Sequence, residues 1–461
     1  MILRYKLICT TLIEIIYMYV CVFVCETSNT YLKRYLQGRQ EREMEVVANM
    51  VIVGAGIAGL ATAVALKRVG IEALVFERLE GLRTTGAALT LFPNAWLALD
   101  ALRIAQKLSS IYNPFKKACI TNVANGAFQE VPIVGADRGE AGTRVVHRKA
   151  LLEALAEELS TDTIRFNSNL TSIEAQNQDD SSIVVVRLHD GTEIKTKVLI
   201  GCDGVNSVVA RWLGLGAAVD SGLSAVRGLA VYPQGHGFKH DMQQFIDVGK
   251  RGAFLPLNDK ELYWFFISKS TNKGEEVDLI QREVLDKHAK NFPPAYLDVV
   301  GHCDPSTLTC APLLLRYPWE ILFGNVSKGT ITVAGDAMHP MTPDLGQGGC
   351  SALEDAVALG RNIGESCIRN GKFVPEDANK AIDGYVKERR WRAAELITAS
   401  YLSGWVLQQY GSGWWMQFIR DMIHYRFLSK KIKDVIRYDC GTLPKPSSCS
   451  TESEITNHTN A

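Results

Sequence analysis

Residues 50–77 read MVIVGAGIAGLATAVALKRVGIEALVFE, and the order of residue types in that stretch decides the fold. Met50 to Val53 is a short apolar run with strand-favouring residues, the pattern of a buried strand. Gly54, Gly56 and Gly59 follow in G-x-G-x-x-G spacing. Gly54 permits the tight turn, Gly56 lets a diphosphate approach the backbone, and Gly59 lets the next helix pack on the strand. The helix from Leu60 ends at Gly70. A second strand, Ile71 to Phe76, closes on Glu77, where a dinucleotide-binding unit places a carboxylate for a ribose. Together these elements predict a Rossmann-type α/β unit. A glycine turn without a ligand requires none of the surrounding context.

Two later stretches repeat the pattern of strand, acidic turn and helix. VLIGCDG (198–204) delivers a buried strand to Asp203 and Gly204, and VNSVVARWLGL has helical composition. Asp203 reads either as a ligand contact or as a helix-capping aspartate. GTITVAGDAMHPMTPDLGQGGCSALEDAVAL (329–359) runs from a short strand to Asp336, through a Pro- and Gly-rich loop, into a helix. Such a loop with a helix N-terminus holds a polar, electron-rich ligand. In TRVVHRKALLEALAEEL (143–159), a strand enters a helix at His147 and Arg148. An arginine at a helix start opposes the dipole. That suggests a task such as holding a phosphate or ring edge, the alternative being a surface arginine.

Composition narrows the function class. The 461 residues imply two or three domains. Lysine plus arginine balances aspartate plus glutamate at 50 each, which calls for no polyanionic partner. The 11 cysteines contain no C-x-x-C pair and no zinc spacing, so no metal is expected and buried free thiols fit a reducing compartment. His236 and His240 lack a third ligand and read as loop residues. The sequons at Asn169, Asn325 and Asn457 have no secretion signal to accompany them.

The remainder of the chain organises around these motifs. Leu7 to Cys25 is an apolar run interrupted only by Glu14, either a membrane anchor or a dispensable extension, and Met44 is an alternative start. The stretch 184–200 predicts a hairpin turning at Asp190-Gly191. Cys119–Val134 and the runs AVRGLAVY, QQFIDVG, RGAFLPL and ELYWFFIS predict an antiparallel sheet. A helix is predicted from Lys273 to Asn291, and another with Asn94 as its cap. Helices are predicted over 381–409 and 414–438, and a disordered tail from Gly441.

The set GAGIAG with Glu77, GCDG with Asp203, and GDAMHPMTPDLGQGG with Asp336 resembles the three fingerprints of class A FAD-dependent monooxygenases of the p-hydroxybenzoate hydroxylase fold. The intervening wording is most similar to plant monooxygenases related to salicylate and hydroxybenzoate hydroxylases. The resemblance implies an α/β fold with a Rossmann-type FAD-binding domain, an interleaved antiparallel-sheet substrate domain and C-terminal helices. It places the FAD-binding domain at 45–118, 141–218 and 315–375, and the sheet domain at 119–140 and 219–314. C-terminal helices would fill 376–440, flanked by an extension (1–44) and a tail (441–461).

It also implies roles. Gly54, Gly56, Ile57, Ala58 and Gly59 would hold the FAD diphosphate, and Glu77 with Arg78 the adenosine side. Arg148 would contact the flavin side, and Asp203 and Gly204 would serve FAD and, transiently, NADPH or NADH. Asp336 would bind the middle of FAD, and Pro343, Gly346, Gln347, Gly348 and Gly349 would line its ring. The activity implied is insertion of one oxygen atom of O2 into a small aromatic or conjugated substrate through a flavin C4a-hydroperoxide. Alternatives are an FAD oxidase or dehydrogenase, or a flavin-binding redox sensor without turnover. Arg227, Tyr263 and Trp264 are candidates for the substrate face. His339 is the candidate proton-handling group, its alternative being a structural part of the loop.

Overall fold

The computed structural model describes residues 46–83, 87–133, 142–178, 181–269, 277–408 and 434–445. Strand β1 (Val46–Val53) turns through Gly54–Gly56 into helix α1 (Ile57–Arg68), which leads to β2 (Leu74–Phe76). Gly70 ends that helix with φ +85°, a conformation glycine adopts without strain. Helices α2 (Pro93–Ala101) and α3 (Arg148–Ala156) follow, then β3 (Glu193–Gly201) and the short helix α4 (Val208–Trp212). Next come β4 (Val219–Val231), β5 (Lys250–Pro256), β6 (Glu261–Lys269) and helix α5 (Pro294–Gly301). The last part holds β7 (Ile331–Val333) and the long helices α6 (Gly348–Cys367) and α7 (Ala378–Gln408).

One sheet has β7, β3, β1 and β2 side by side and parallel. All four therefore end at the same edge, where the glycine and aspartate turns lie. The segments nearest that edge, Met50–Val53, Val75–Phe76, Val198–Ile200 and Ile331–Val333, are buried and, Thr332 apart, apolar, as strands covered on both faces must be. An antiparallel hairpin, Leu170–Gln178 with Ser181–Leu188, extends the sheet beside β3. The turn at Gly191, φ +85°, lies where the sequence predicts.

Among the described residues the second sheet has seven strands, with β4, β6 and β5 adjacent and antiparallel. Lys117–Asn122 joins it through a parallel pairing with Met242–Asp247, so the segment predicted as sheet from Cys119 belongs to the same layer. Alternation along β6 divides its aromatic run. Tyr263 and Phe265 pack with the nucleotide-binding layer, while Trp264 and Phe266 pack under α5 with Tyr296 and Val299.

Of the helix predicted over 273–291, the described part is helical over Val277–Glu283 and continues as a wider turn over Val284–His288, short of the expected end at Asn291. Its predicted start and most of 414–438 fall outside the described residues, as do 1–45 and 446–461. No helix among the described residues is long and apolar enough to cross a membrane.

Candidate cofactor and substrate site

The glycine turn is packed to contact on two sides and open on the third. A Cβ on Gly54 would lie 2.5 Å from the Cys202 carbonyl oxygen, and one on Gly59 only 1.8 Å from that of Gly54. These two glycines let α1 and the end of β3 approach the turn. A Cβ on Gly56 would meet nothing within 4 Å, so this residue borders free space. Gly56 is also the N-cap of α1, and no side chain caps that helix. The first-turn N–H groups of Ile57, Ala58 and Gly59 thus lack a side-chain acceptor. Glu77 braces the turn: it accepts from Ala55 N–H at 2.8 Å and from Leu79 N–H at 3.0 Å. Arg78 is exposed beside it.

The second helix start lies against the first. Gly335, φ +59°, would place a Cβ 2.7 Å from Ala58 Cβ, and Gly349 one 3.7 Å from Ile57 Cδ1. Asp336 is exposed, although Ala334, Gly335, Ala337 and Met338 around it are buried. Pro343 opens a single turn that Gly346 ends in the left-handed region, φ +63°. α6 then starts at Gly348, again without a side-chain cap. A Cβ at Gly348 would be 3.9 Å from Asp336 Oδ1. Two uncapped helix N-termini and an exposed carboxylate therefore lie close together.

Arg148 stands at the first position of α3, as the sequence predicts, and its Nε is buried with no partner. Burial lowers its basicity, Arg83 and Arg227 lower it further, and Asp336 opposes them. Those four side chains share one electrostatic neighbourhood. FAD fits this donor set: free helix N–H groups and an unpaired guanidinium for its phosphates, open space at Gly56, and a carboxylate for its hydroxyls.

The facing sheet supplies the other wall. Arg227 is half-buried and sits opposite Phe265 in the β4–β6 register. Tyr263 is buried on the same side; burial raises its pKa and Arg227 partly offsets this. Sequence reading missed Arg251 and Asp344. Their ion pair, 3.0 Å and almost fully buried, joins β5 to the turn before Gly346. The Arg251 guanidinium lies 5.7 Å from the Phe265 ring centre. A lone arginine in a strand and an aspartate after a proline carry no signal of pairing until the sheet is placed over the loop.

Four expectations need correction. Trp264 is fully buried on the opposite side of the sheet, because neighbouring strand residues point to opposite faces. His339 is fully buried, with its Nε2 2.6 Å from Asp355 Oδ2, so it braces the loop instead of facing a substrate. The Gln347 side chain is turned inward and the whole residue is buried, whereas Gly346, Gly348 and Gly349 are partly exposed. Asp203 spends its carboxylate at the start of α4: it accepts from Ser207 Oγ at 2.5 Å and from Val208 N–H at 2.7 Å. Burial raises its pKa, and these hydrogen bonds oppose the rise. The helix-capping alternative thus describes its side chain. Gly204, φ +78°, borders open space.

Behind the loop lies a buried charged cluster. Arg389 bonds Asp355 Oδ1 at 2.7 Å and Glu354 Oε2 at 2.7 Å, and Arg392 bonds Glu354 Oε1 at 2.9 Å. Asn94 is not a helix cap. α2 begins one residue earlier with Phe92 at its cap, and the Asn94 side chain enters this cluster. Among the described residues, no group of three His, Cys, Asp or Glu side chains could hold a metal ion.

Comparison with known proteins agrees with this geometry. The family described as FAD binding domain matches residues 47–400. Monooxygenase 2 of Arabidopsis thaliana is 40% identical over 413 residues, covering 87% of this chain and 99% of that protein. The FAD-dependent urate hydroxylase of Mycolicibacterium vanbaalenii is 29% identical over 357 residues, 76% of this chain and 86% of that protein. The structure of Klebsiella pneumoniae HpxO complexed with FAD and uric acid shares the fold with a TM-score of 0.72 at 23% identity, over 86% of this chain and 98% of that one. With a family match over most of its length and a close monooxygenase relative, the chain belongs to the FAD binding domain family and is an FAD-dependent monooxygenase.

Proposed function

We propose that this chain holds FAD across the paired starts of α1 and α6 and hydroxylates a small aromatic or conjugated substrate lying against β4, β5 and β6. The observation that carries this reading is the meeting of two uncapped helix N-termini at the exposed Asp336, beside the unpaired Arg148 Nε. NADPH or NADH is the electron donor. The discontinuous FAD domain comprises 45–118, 141–218 and 315–375, and the sheet domain 119–140 and 219–314.

Gly54, Gly56, Ile57, Ala58 and Gly59 receive the diphosphate, with Glu77 and Arg78 on the adenosine side. Arg148, Gly204 and Asp336 would face the middle of the cofactor, and Pro343 with the backbone of Gly346, Gly348 and Gly349 would face its ring. When bound, FAD supplies the oxygen-activating redox chemistry. The N–H groups at the start of α6 stabilise negative charge on the ring, an effect of about 1–2 kcal/mol for a partly buried site. Arg227 offers a cation, and Tyr263 a neutral hydroxyl donor, to an electron-rich substrate. The rings of Tyr263 and Phe265 on this face would help keep water from the cofactor's reactive part when FAD is bound.

The test is a substrate panel. Phenolic acids are the first arm, and urate is the second because related proteins are named urate hydroxylases. Purified protein should be yellow, and NADPH oxidation should be coupled to hydroxylated product with at least one compound. NADPH consumption yielding only hydrogen peroxide across the panel would overturn the hydroxylase reading. The apolar run 7–25 poses a separate choice between membrane contact and dispensable extension. Liposome flotation of the full chain against a chain begun at Met44 distinguishes them.

A further inference from the structure

The first turn of α2 grips two consecutive residues of the loop that enters α6. Phe92 lies under Gly346, whose Cβ position would be 2.9 Å from the Phe92 ring. Two residues on, Asn94 donates from its single Nδ2 to Gln347 Oε1 at 2.8 Å and to Glu354 Oε1 at 2.6 Å. Gln347 is the N-cap of α6, and Glu354 lies about two turns along the same helix. Asn94 therefore ties the helix start to its own body.

The tie is rigid at both ends. Asn94, Gln347 and Glu354 are all fully buried. Glu354 is held in turn by Arg389 and Arg392 of α7. The Asn94 backbone N–H donates to Ile436 O at 3.0 Å, and Arg392 Nη2 to Val435 O at 2.6 Å, so the C-terminal segment locks the same cluster. The arrangement leaves Asn94 Oδ1 and Gln347 Nε2 buried without partners. Buried polar atoms left unpaired are costly and rare. A contact serving stability alone would be better built from apolar groups.

We propose that Asn94 is a positioning residue for the flavin: by clamping Gln347 to Glu354 it aims the free N–H groups at the start of α6 at the ring, and so sets the stability of the reduced cofactor. The inference rests on the FAD site proposed above. Asn94 touches neither cofactor nor substrate. It acts through the direction of a helix end, whose positive pole favours an anionic reduced ring. A loosened helix start loses part of that stabilisation, so the reduction potential falls.

The experiment uses the full-length holoprotein and spectroscopic measurement of the flavin midpoint potential. Asn94→Ala removes the clamp. Gln347→Met keeps the volume but removes the acceptor, and decides the matter alone if Asn94→Ala does not fold. Each variant that binds FAD should shift the oxidised-to-reduced ratio about tenfold toward oxidised flavin at fixed potential, about 30 mV for a two-electron couple. The double variant should shift it no further than the larger single change, because both act on one contact. A wild-type potential in a yellow Asn94→Ala or Gln347→Met protein, or fully additive shifts, overturns the inference. A wild-type protein that binds no FAD instead overturns the site assignment on which it rests, so the two failures are distinct.

Discussion

Asp336 is a single carboxylate exposed among buried neighbours, so its charge is free of the packing and accessible to a ligand. Asp336→Ala should change the stability of the apoprotein by no more than about 0.5 kcal/mol, the ordinary range for a surface substitution. It should weaken FAD retention at least tenfold, about 1.4 kcal/mol. Flavin absorbance after desalting measures the loss, and a variant as yellow as wild type would remove Asp336 from the site. His339 and Asp355 make the complementary case, charges that serve the fold. Burial by itself raises the Asp355 pKa, but His339 and Arg389 outweigh it and bring the group down to about 2. Burial by itself lowers the His339 pKa, and Asp355 outweighs it, leaving a net rise. The depressed carboxylate contributes stability that is present above its ordinary pKa of 3.8 and lost as pH falls toward 2. The raised imidazole contributes stability that is full below 6.5 and lost as pH climbs through its higher folded value. Denaturant titrations across pH should show both declines in the wild type. His339→Gln, which cannot titrate, should abolish the alkaline one; an unchanged alkaline decline would place its origin elsewhere.

At the scale of elements, the G-x-G-x-x-G turn separates packing from binding. A Cβ on Gly59 would sit 1.8 Å from a backbone oxygen, whereas one on Gly56 would meet nothing within 4 Å. Gly59→Ala should therefore push α1 off β1 and lower stability by more than about 2 kcal/mol, in the range of overpacked cores. Gly56→Ala should melt close to wild type and yet lose at least tenfold in FAD affinity, about 1.4 kcal/mol. Thermal unfolding of both variants without added FAD, followed by FAD titration of Gly56→Ala, separates the effects. Equal melting temperatures for the two would contradict the packing argument. This division was legible in the residues, because the spacing of glycines states where backbones must touch. The fate of Asp203 was not legible. An acid before a helix suits a ligand and a cap equally well, and only the placement of Ser207 and Val208 around its carboxylate decided for the cap.

At the scale of the whole molecule, the sheet layer is fastened to the cofactor loop by the Arg251–Asp344 pair. Both groups are nearly buried, so removing one leaves an uncompensated charge. Arg251→Met should cost about 3–5 kcal/mol, and adding Asp344→Leu should recover much of that. Denaturant unfolding of the single and double variants checks it. A double variant no more stable than the single would show that Asp344 is satisfied by other partners.

Local order in the sequence determined the strand–turn–helix units, the glycines that must be glycine and the position of the acidic turns, and the resemblance of those motifs pointed to the cofactor chemistry. Those features depend on residues within a few positions of one another, where spacing alone dictates backbone geometry. The tertiary structure decided which face each strand residue presents, sending Tyr263 toward the site and Trp264 away from it. It also decided which distant polar groups meet: Arg251 with Asp344, Asn94 with Glu354, His339 with Asp355. Pairing across long chain separations is set by how layers stack, and a charged residue looks the same in the sequence whether solvent or a buried partner awaits it.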